Sequence, residues 1–363
     1  MASSATVRLL SRGELARPKQ KMTPRLPEFL TVGQVSNLSQ PDTEAQRTGY
    51  KPVLHTSESR KELALWLTRP DHPLTARVMI NRIWQWHFGR GIVATPNDFG
   101  QMGIPPTHPE LLDWLAIEFV ARGWSIKSMH RLIMTSRTYR QSSSFYTKKH
   151  GRIDPDNTLL WRMNRRRLEG EAIWDAIHSV AGTINPVIGG RPVMPPLLAE
   201  ELTNKSNWVE SQIPSQHTRR GLYIIVRRNF NFPLFDLFDA PVRAVSCSGR
   251  DVSTVAPQAL WLLNNHLGFK QAKHFAARLV REAGQEAEAQ VRRAWLLALG
   301  RPATDDEASE AVELLKQLET TDPGSPPIEH PPAELARLPP ARAAALTKFC
   351  LTVLNLNEFV YVD

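Results

Sequence analysis

The sequence predicts a mainly α fold: an irregular multi-helix globular domain behind an extended N-terminal arm, with at most a short β element near residues 221–228. Three observations carry that prediction. Apolar residues recur at helical spacing in segment after segment from about residue 58, whereas the best strand candidate is the single run GLYIIVRR. Residues 1–57 are rich in Gly, Ser, Thr and Gln, and Pro18, Pro24, Pro27, Pro41 and Pro52 forbid a long helix there. A chain of 363 residues, 42% of them hydrophobic, is large enough to bury a sizeable core. The expected organisation is therefore an arm over 1–57 and a helical domain over 58–363, with a Pro-rich linker at about 323–340 before the final helix.

Taken in order, ESRKELALWLTR (58–69) has the spacing of a short helix that Pro70 and Pro73 end. A second helix begins near Leu74. At 100° per residue it gathers Arg77, Asn81, Arg82 and Gln85 in one polar arc, with Met79, Ile80, Ile83, Trp84 and Trp86 opposite and His87 among the latter. Gly89 and Gly91 stop it, and Arg90 lies near its last carbonyls. GIVATPNDFG reads as a loop or strand fragment carrying Asn97, Asp98 and Phe99. Thr107 or His108 then caps PELLDWLAIEFVAR, which is apolar almost all round, so Asp113 is expected to point at least partly inward and to need an arginine. Gly123 ends that helix, and Ser125 opens SIKSMHRLIMTSRTYRQ, with Ile126, Met129, Leu132 and Ile133 on one face.

Beyond a loop with Asp154, Pro155 and Asn157, the cluster Arg162, Arg165, Arg166 and Arg167 leads into EGEAIWDAIHSVAG, read as a solvated helix entry. Glu171, Asp175 and His178 fall on one arc of this helix at spacings of four and three. A loop-like stretch (182–220) precedes GLYIIVRR, and Phe230, Phe232, Phe235 and Phe238 follow as core anchors. Ser253 or Thr254 caps a helix that starts near Pro257 and carries Gln258 and Asn265. The remainder reads as charged amphipathic helices, among them TDDEASEAVELLKQL with Thr304 as its cap, and a last helix ending in FVYVD.

Composition narrows the function classes. Forty-five Lys and Arg against 36 Asp and Glu leave a formal charge of +9, which suits an acidic partner such as nucleic acid, anionic lipid or anionic polysaccharide. The two cysteines, Cys247 and Cys350, form neither a CxxC pair nor a disulfide framework. No metal-ligand spacing, phosphate loop or nucleophile with an adjacent base is visible, and neither a secretory segment nor a membrane-spanning run is evident; as written, the chain reads as soluble and cytoplasmic. The two helices joined by ARGWS resemble a helix-turn-helix, with Lys127, Ser128 and Arg131 at the start of the second, which makes DNA binding one non-enzymatic option.

Several long motifs point further: PLTARVMINRIWQWHFGRGIVATPNDFG, THPELLDWLAIEFVARGWSIKSMHRLIMTSRTYRQSS, RRLEGEAIWDA, STVAPQALWLLNN and LNLNEFVYVD. They resemble the planctomycete-specific C-terminal domain of unknown function found in exported, cytochrome c-like multidomain proteins. The resemblance implies an extracytoplasmic setting and haem-bearing upstream neighbours. It supplies no activity, and it implies no cofactor in this chain. The positions matching the polar motif of that family are Arg77, Asn81, Arg82, Gln85, Arg90, Asp98, His108, Asp113, Arg167, Glu171, Asp175, Arg250 and Gln258. Where such proteins often carry an arginine before the motif aspartate, this chain has Trp174, and His178 lies outside the usual pattern.

The resulting expectation is a structural polar network in which Arg77, Arg82 and Arg167 meet Asp98, Asp113, Glu171 and Asp175, with Asn81, Gln85, Arg250 and Gln258 around them. The first functional reading is a non-catalytic scaffold or docking module whose partners are haem-bearing or other upstream domains. The alternative is a hydrolase or transferase acting on an anionic polysaccharide, with Asp98, His108, Glu171 or Asp175 as acid and base and Arg77, Arg82 or Arg90 binding the anion. DNA binding is third.

Overall fold

Helices form where the apolar spacing places them. The computed structural model describes residues 8–11, 14–21, 59–202, 208–243, 245–321 and 328–362. Within the expected arm, β1 (Arg8–Ser11) and β2 (Glu14–Lys21) pair antiparallel with a register irregularity; the rest of 1–57 lies outside the described residues, as does 323–327 of the expected linker. The chain is mainly α. It divides into two compact units: Met1–Trp86 with Gly91–Ala94 and Phe99–Leu132, and His87–Arg90 with Thr95–Asp98 and Ile133–Asp363. Among the described residues, no helix is long and apolar enough to cross a membrane.

The first unit contains α1 (Ser59–Leu67), most of α2 (Thr75–Phe88), α3 (Pro109–Ala121) and most of α4 (Ile126–Met134). His72 organises the start of α2: its Nδ1 accepts from the Leu74 and Thr75 amides at 3.2 and 3.1 Å, so imidazole stands in for a capping oxygen. Ile80 and Ile83 on α2, Leu112, Leu115, Ala116 and Phe119 on α3, and Met129 on α4 are among its buried residues. On α3 these form one stripe, so the helix is not buried all round as its composition suggested. Trp114 and Ile117 face solvent, and Asp113 stands on the exposed side with them, not inward. Trp86, assigned to the apolar arc of α2, is likewise exposed, whereas Asn81 from the polar arc is fully buried.

The second unit continues with α5 (Lys148–Ile153), β3 (Arg166–Arg167), α6 (Gly170–Ala181), α7 (Pro233–Leu237), α8 (Ala256–Asn264), α9 (His266–Ala283), α10 (Ala287–Ala298), α11 (Asp305–Thr321), α12 (Pro340–Leu354), α13 (Asn357–Val360) and β4 (Tyr361–Val362). Helices α6, α9, α10 and α12 supply its core, where Ile173, Ile177, Phe275, Val291, Leu346, Phe349 and Cys350 are sealed from water, and Phe232, Phe235 and Phe238 close one side. The Thr304 cap is present: its hydroxyl accepts from the Glu307 amide at 3.2 Å while Glu307 returns a carboxylate to the Thr304 N–H at 2.8 Å. GLYIIVRR does not become a strand. Gly221–Tyr223 is a 3-10 turn, and only Ile224 bridges, to Val193. The chain end, expected as one helix, breaks after Leu354 and sends β4 back to pair antiparallel with β3, Arg167 opposite Tyr361.

Candidate functional site

Helix α6 begins on Gly170, and its first turns carry Glu171 and Asp175, acids where the helix dipole favours them. Arg250 grips Glu171 with both terminal nitrogens, at 2.7 and 3.0 Å, and its Nε lies 3.5 Å from Glu169. Burial pushes the Glu171 carboxyl up, but the Arg250 bonds and the neighbouring Arg243 charge outweigh it, leaving the group below its ordinary value. One turn on, Asp175 accepts from Arg220 Nε at 2.8 Å and from the Gly221 amide at 2.6 Å. That close approach needs glycine: a Cβ at 221 would lie 2.8 Å from the Glu171 carbonyl oxygen.

Arg167, read both as part of a solvated cluster and as a member of the polar network, is buried. It donates to the Ser253 carbonyl at 2.5 Å, the Phe238 carbonyl at 3.2 Å and Asp239 at 2.8 Å, and its guanidinium lies over the Phe238 ring. Asp239 in turn accepts the Ser253 amide and hydroxyl, both at 2.9 Å. Burial raises this carboxyl, but the Ser253 and Arg167 bonds hold it below the ordinary carboxylate range. Gln258 completes the knot by donating to the Leu237 carbonyl at 3.1 Å and Ser253 Oγ at 3.3 Å. With Ser253 so engaged, neither it nor Thr254 starts α8; Val255 does, helped by Gln258 reaching back to its amide.

His178 shares an arc of α6 with Glu171 and Asp175 but is buried and takes other partners. Its Nδ1 meets Thr183 Oγ1 at 2.8 Å, and that hydroxyl donates to Gln271 at 2.8 Å, so the network assigns the proton to Nδ1 and leaves the buried Nε2 bare. Burial, with the Lys270 and His274 charges, lowers its pKa to about 3. Among the described residues, no three His, Cys, Asp or Glu side chains gather closely enough to hold a metal ion.

In the first unit, Arg77 donates Nε to Asp113 at 2.6 Å and one terminal nitrogen to the Pro73 carbonyl at 2.8 Å. The Arg77 hydrogen bond holds the Asp113 carboxyl below its ordinary value. Asn81 brackets a backbone: its Nδ2 donates to the Val93 carbonyl at 2.9 Å, and its Oδ1 accepts the Val93 amide at 2.8 Å. Arg82, Gln85 and His108 are half-buried, His108 sharing a 2.9 Å hydrogen bond with Thr107. A cavity of about 360 Å³ is lined by Arg77, Asp113, Phe99, Gln101 and neighbouring apolar residues.

Of the remaining candidates, Asp98 is half-buried in a turn that Thr95 closes onto its carbonyl at 2.8 Å. Arg90 is exposed, and its charge helps lower the pKa of Asp154. Two ion pairs join members of the predicted set, Arg77 with Asp113 and Arg250 with Glu171, while Arg167 pairs with Asp239 and Asp175 with Arg220.

The profile of PSD1, a protein of unknown function (DUF1553), matches residues 59–315, well over half of the chain. The chain belongs to the PSD1 family. No curated protein and no solved structure matches it. Every candidate site residue, from Arg77 to Gln258, falls within the span matched to PSD1. This PSD1 chain also uses polar residues that sequence reasoning passed over. Asp239 was hidden in an apolar run. Arg219, buried, donates to the carbonyls of Val187, Gly189 and Arg191 and lies 3.8 Å from the Tyr223 ring centre. Its signal, an arginine facing a GG loop, is weak. Asp154, noticed only as a loop residue, accepts from the Thr158 amide and hydroxyl and the Leu159 amide at 2.8 to 2.9 Å.

Proposed function

We propose that this domain is a non-catalytic scaffold, a docking module that positions haem-bearing domains of an exported multidomain system. What supports this reading is the condition of Glu171 and Asp175. Each has both oxygens occupied, by Arg250 in one case and by Arg220 and the Gly221 amide in the other. A carboxylate held this way is a poor general base, because its lone pairs already serve charge-assisted bonds; it ties distant loops to a helix. Alongside this framework, α8 turns Ala256, Ala259, Leu260 and Leu263 to solvent at the i, i+3, i+4, i+7 spacing of a helix that packs against something.

The occupant of that face is an acidic haem-bearing electron-transfer domain, chosen because the chain carries a formal +9 and opposite charge speeds and orients encounter. Such contacts are small, below roughly 1,200 Å². The test mixes the full chain with an acidic c-type cytochrome domain and follows the haem Soret absorbance during sedimentation. Co-sedimentation is expected, weakened at least tenfold by the double change Leu260→Glu, Leu263→Glu and by added salt. A haem protein that sediments alone at every concentration, or binds the double variant equally well, sinks the reading. In the competing enzymatic reading, on an anionic polysaccharide, Asp98, His108, Glu171 or Asp175 serves as acid or base, and for Glu171 or Asp175 that means exchanging an arginine for substrate.

A further inference from the structure

The cavity of the first unit combines apolar walls with polar side chains whose hydrogen-bonding capacity is only partly used. Its volume of about 360 Å³ suits a small ligand, and it is walled by Leu74, Phe99, Ile104 and adjoining prolines. On its rim the Arg77–Asp113 pair uses only part of its capacity. Arg77 gives Nε to Asp113 Oδ1 and Nη1 to the Pro73 carbonyl. Among the described residues, no hydrogen bond engages Arg77 Nη2, Asp113 Oδ2 or the Gln101 amide. The pair is also reachable, with side chains 36% and 52% exposed. A bare donor edge, a bare acceptor oxygen and a carboxamide therefore border one apolar pocket.

The chemistry of that combination selects a ligand. An anion meets Arg77 already neutralised, and Asp113 repels it. A purely apolar ligand covers Arg77 Nη2 and Asp113 Oδ2 without bonding either. A group with adjacent hydroxyls does neither, since one hydroxyl donates to Asp113 Oδ2 while its neighbour accepts from Arg77 Nη2, and a C–H face lies against Phe99. We infer that this cavity is a binding site for an uncharged sugar residue, recognised through a vicinal diol. The assignment does not depend on the docking reading, which concerns the other unit.

Saturation-transfer NMR on the full chain tests it, with glucose, galactose, mannose, N-acetylglucosamine and their neutral trisaccharides as probes, beside a galacturonate trimer and a proline-rich decapeptide. At least one neutral saccharide is expected to bind, with affinity reduced at least tenfold in Asp113→Asn and Phe99→Ala and severalfold in Gln101→Ala. Gln101 is exposed, so that last variant leaves the fold untouched should the others be poorly behaved. Absence of binding by every neutral saccharide overturns the inference, as does binding that all three variants retain. Tighter binding of galacturonate than of its neutral counterpart, or saturation by the peptide alone, overturns it too.

Discussion

Asn81 and Gly91 are two halves of one contact. The carboxamide of Asn81 satisfies both backbone groups of Val93 in a fully buried position, and it reaches them because residue 91 has no side chain. A Cβ there would lie 2.6 Å from both the Asn81 amide and the Val93 carbonyl. Replacing Asn81 with Ala strands a buried donor and acceptor, at about 1–3 kcal/mol for each. Urea unfolding of Asn81→Ala is therefore expected to show a markedly lower midpoint at unchanged slope. Gly91→Ala should lose a comparable amount, and the double variant less than the sum, because both changes remove one contact. Additive losses would show that the two residues act separately. The sequence displayed both residues and hid their relation, since a helical wheel sorts Asn81 by polarity and cannot register a backbone segment returning beside it.

Among elements, the same residue types do different work according to burial. Arg167 has a 3% exposed side chain tying β3 to the Phe238–Asp239 loop and to the approach of α8, whereas Asp113 is half exposed on α3. Arg167→Ala leaves Asp239 without its counter-charge and two carbonyls without the guanidinium's hydrogen bonds, and a loss of about 3–5 kcal/mol is expected. Asp113→Ala breaks an accessible pair and should change stability by less than about 1 kcal/mol. Paired thermal melts check this; equal shifts would contradict it. Periodicity made α2, α3, α6 and α8 legible, because 3.6-residue spacing is a local property. It could not separate a covered face from a bare one, so α3 reads as apolar almost all round although Trp114 and Ile117 are exposed. GLYIIVRR misled for a related reason. Its β-branched run favours a strand, but Asp175 captures the Gly221 amide and folds the start into a turn.

At the scale of the whole molecule, acid should loosen the fold in two stages. Buried His178 stays neutral in the folded chain down to about pH 3, whereas in the unfolded chain it takes up a proton near its ordinary value of 6.5. Between those values the unfolded state binds the extra proton, so stability falls as pH drops, by up to about 1.4 kcal/mol per pH unit. His72 and His274, also lowered, add to this first stage. The second stage begins below about pH 4.5, where Glu307, held at about 2 by Arg301, loses its contribution as pH falls. Urea midpoints measured from pH 7 to 5 should decline, and His178→Gln should flatten much of that slope. An unchanged slope would remove His178 from the account. The sequence displayed the histidine but not its enclosure, which requires Thr183 and Gln271 to arrive from elsewhere in the chain.

Cys350 is sealed in the core, where burial pushes its thiol well above the usual value, while Cys247 is exposed. Thiolate is the reactive form, so alkylating reagents reach one site on the native chain and both only when α12 opens. Mass spectrometry of maleimide adducts should count one label on folded molecules and two on those that have opened, an unfolding gauge that needs no added probe.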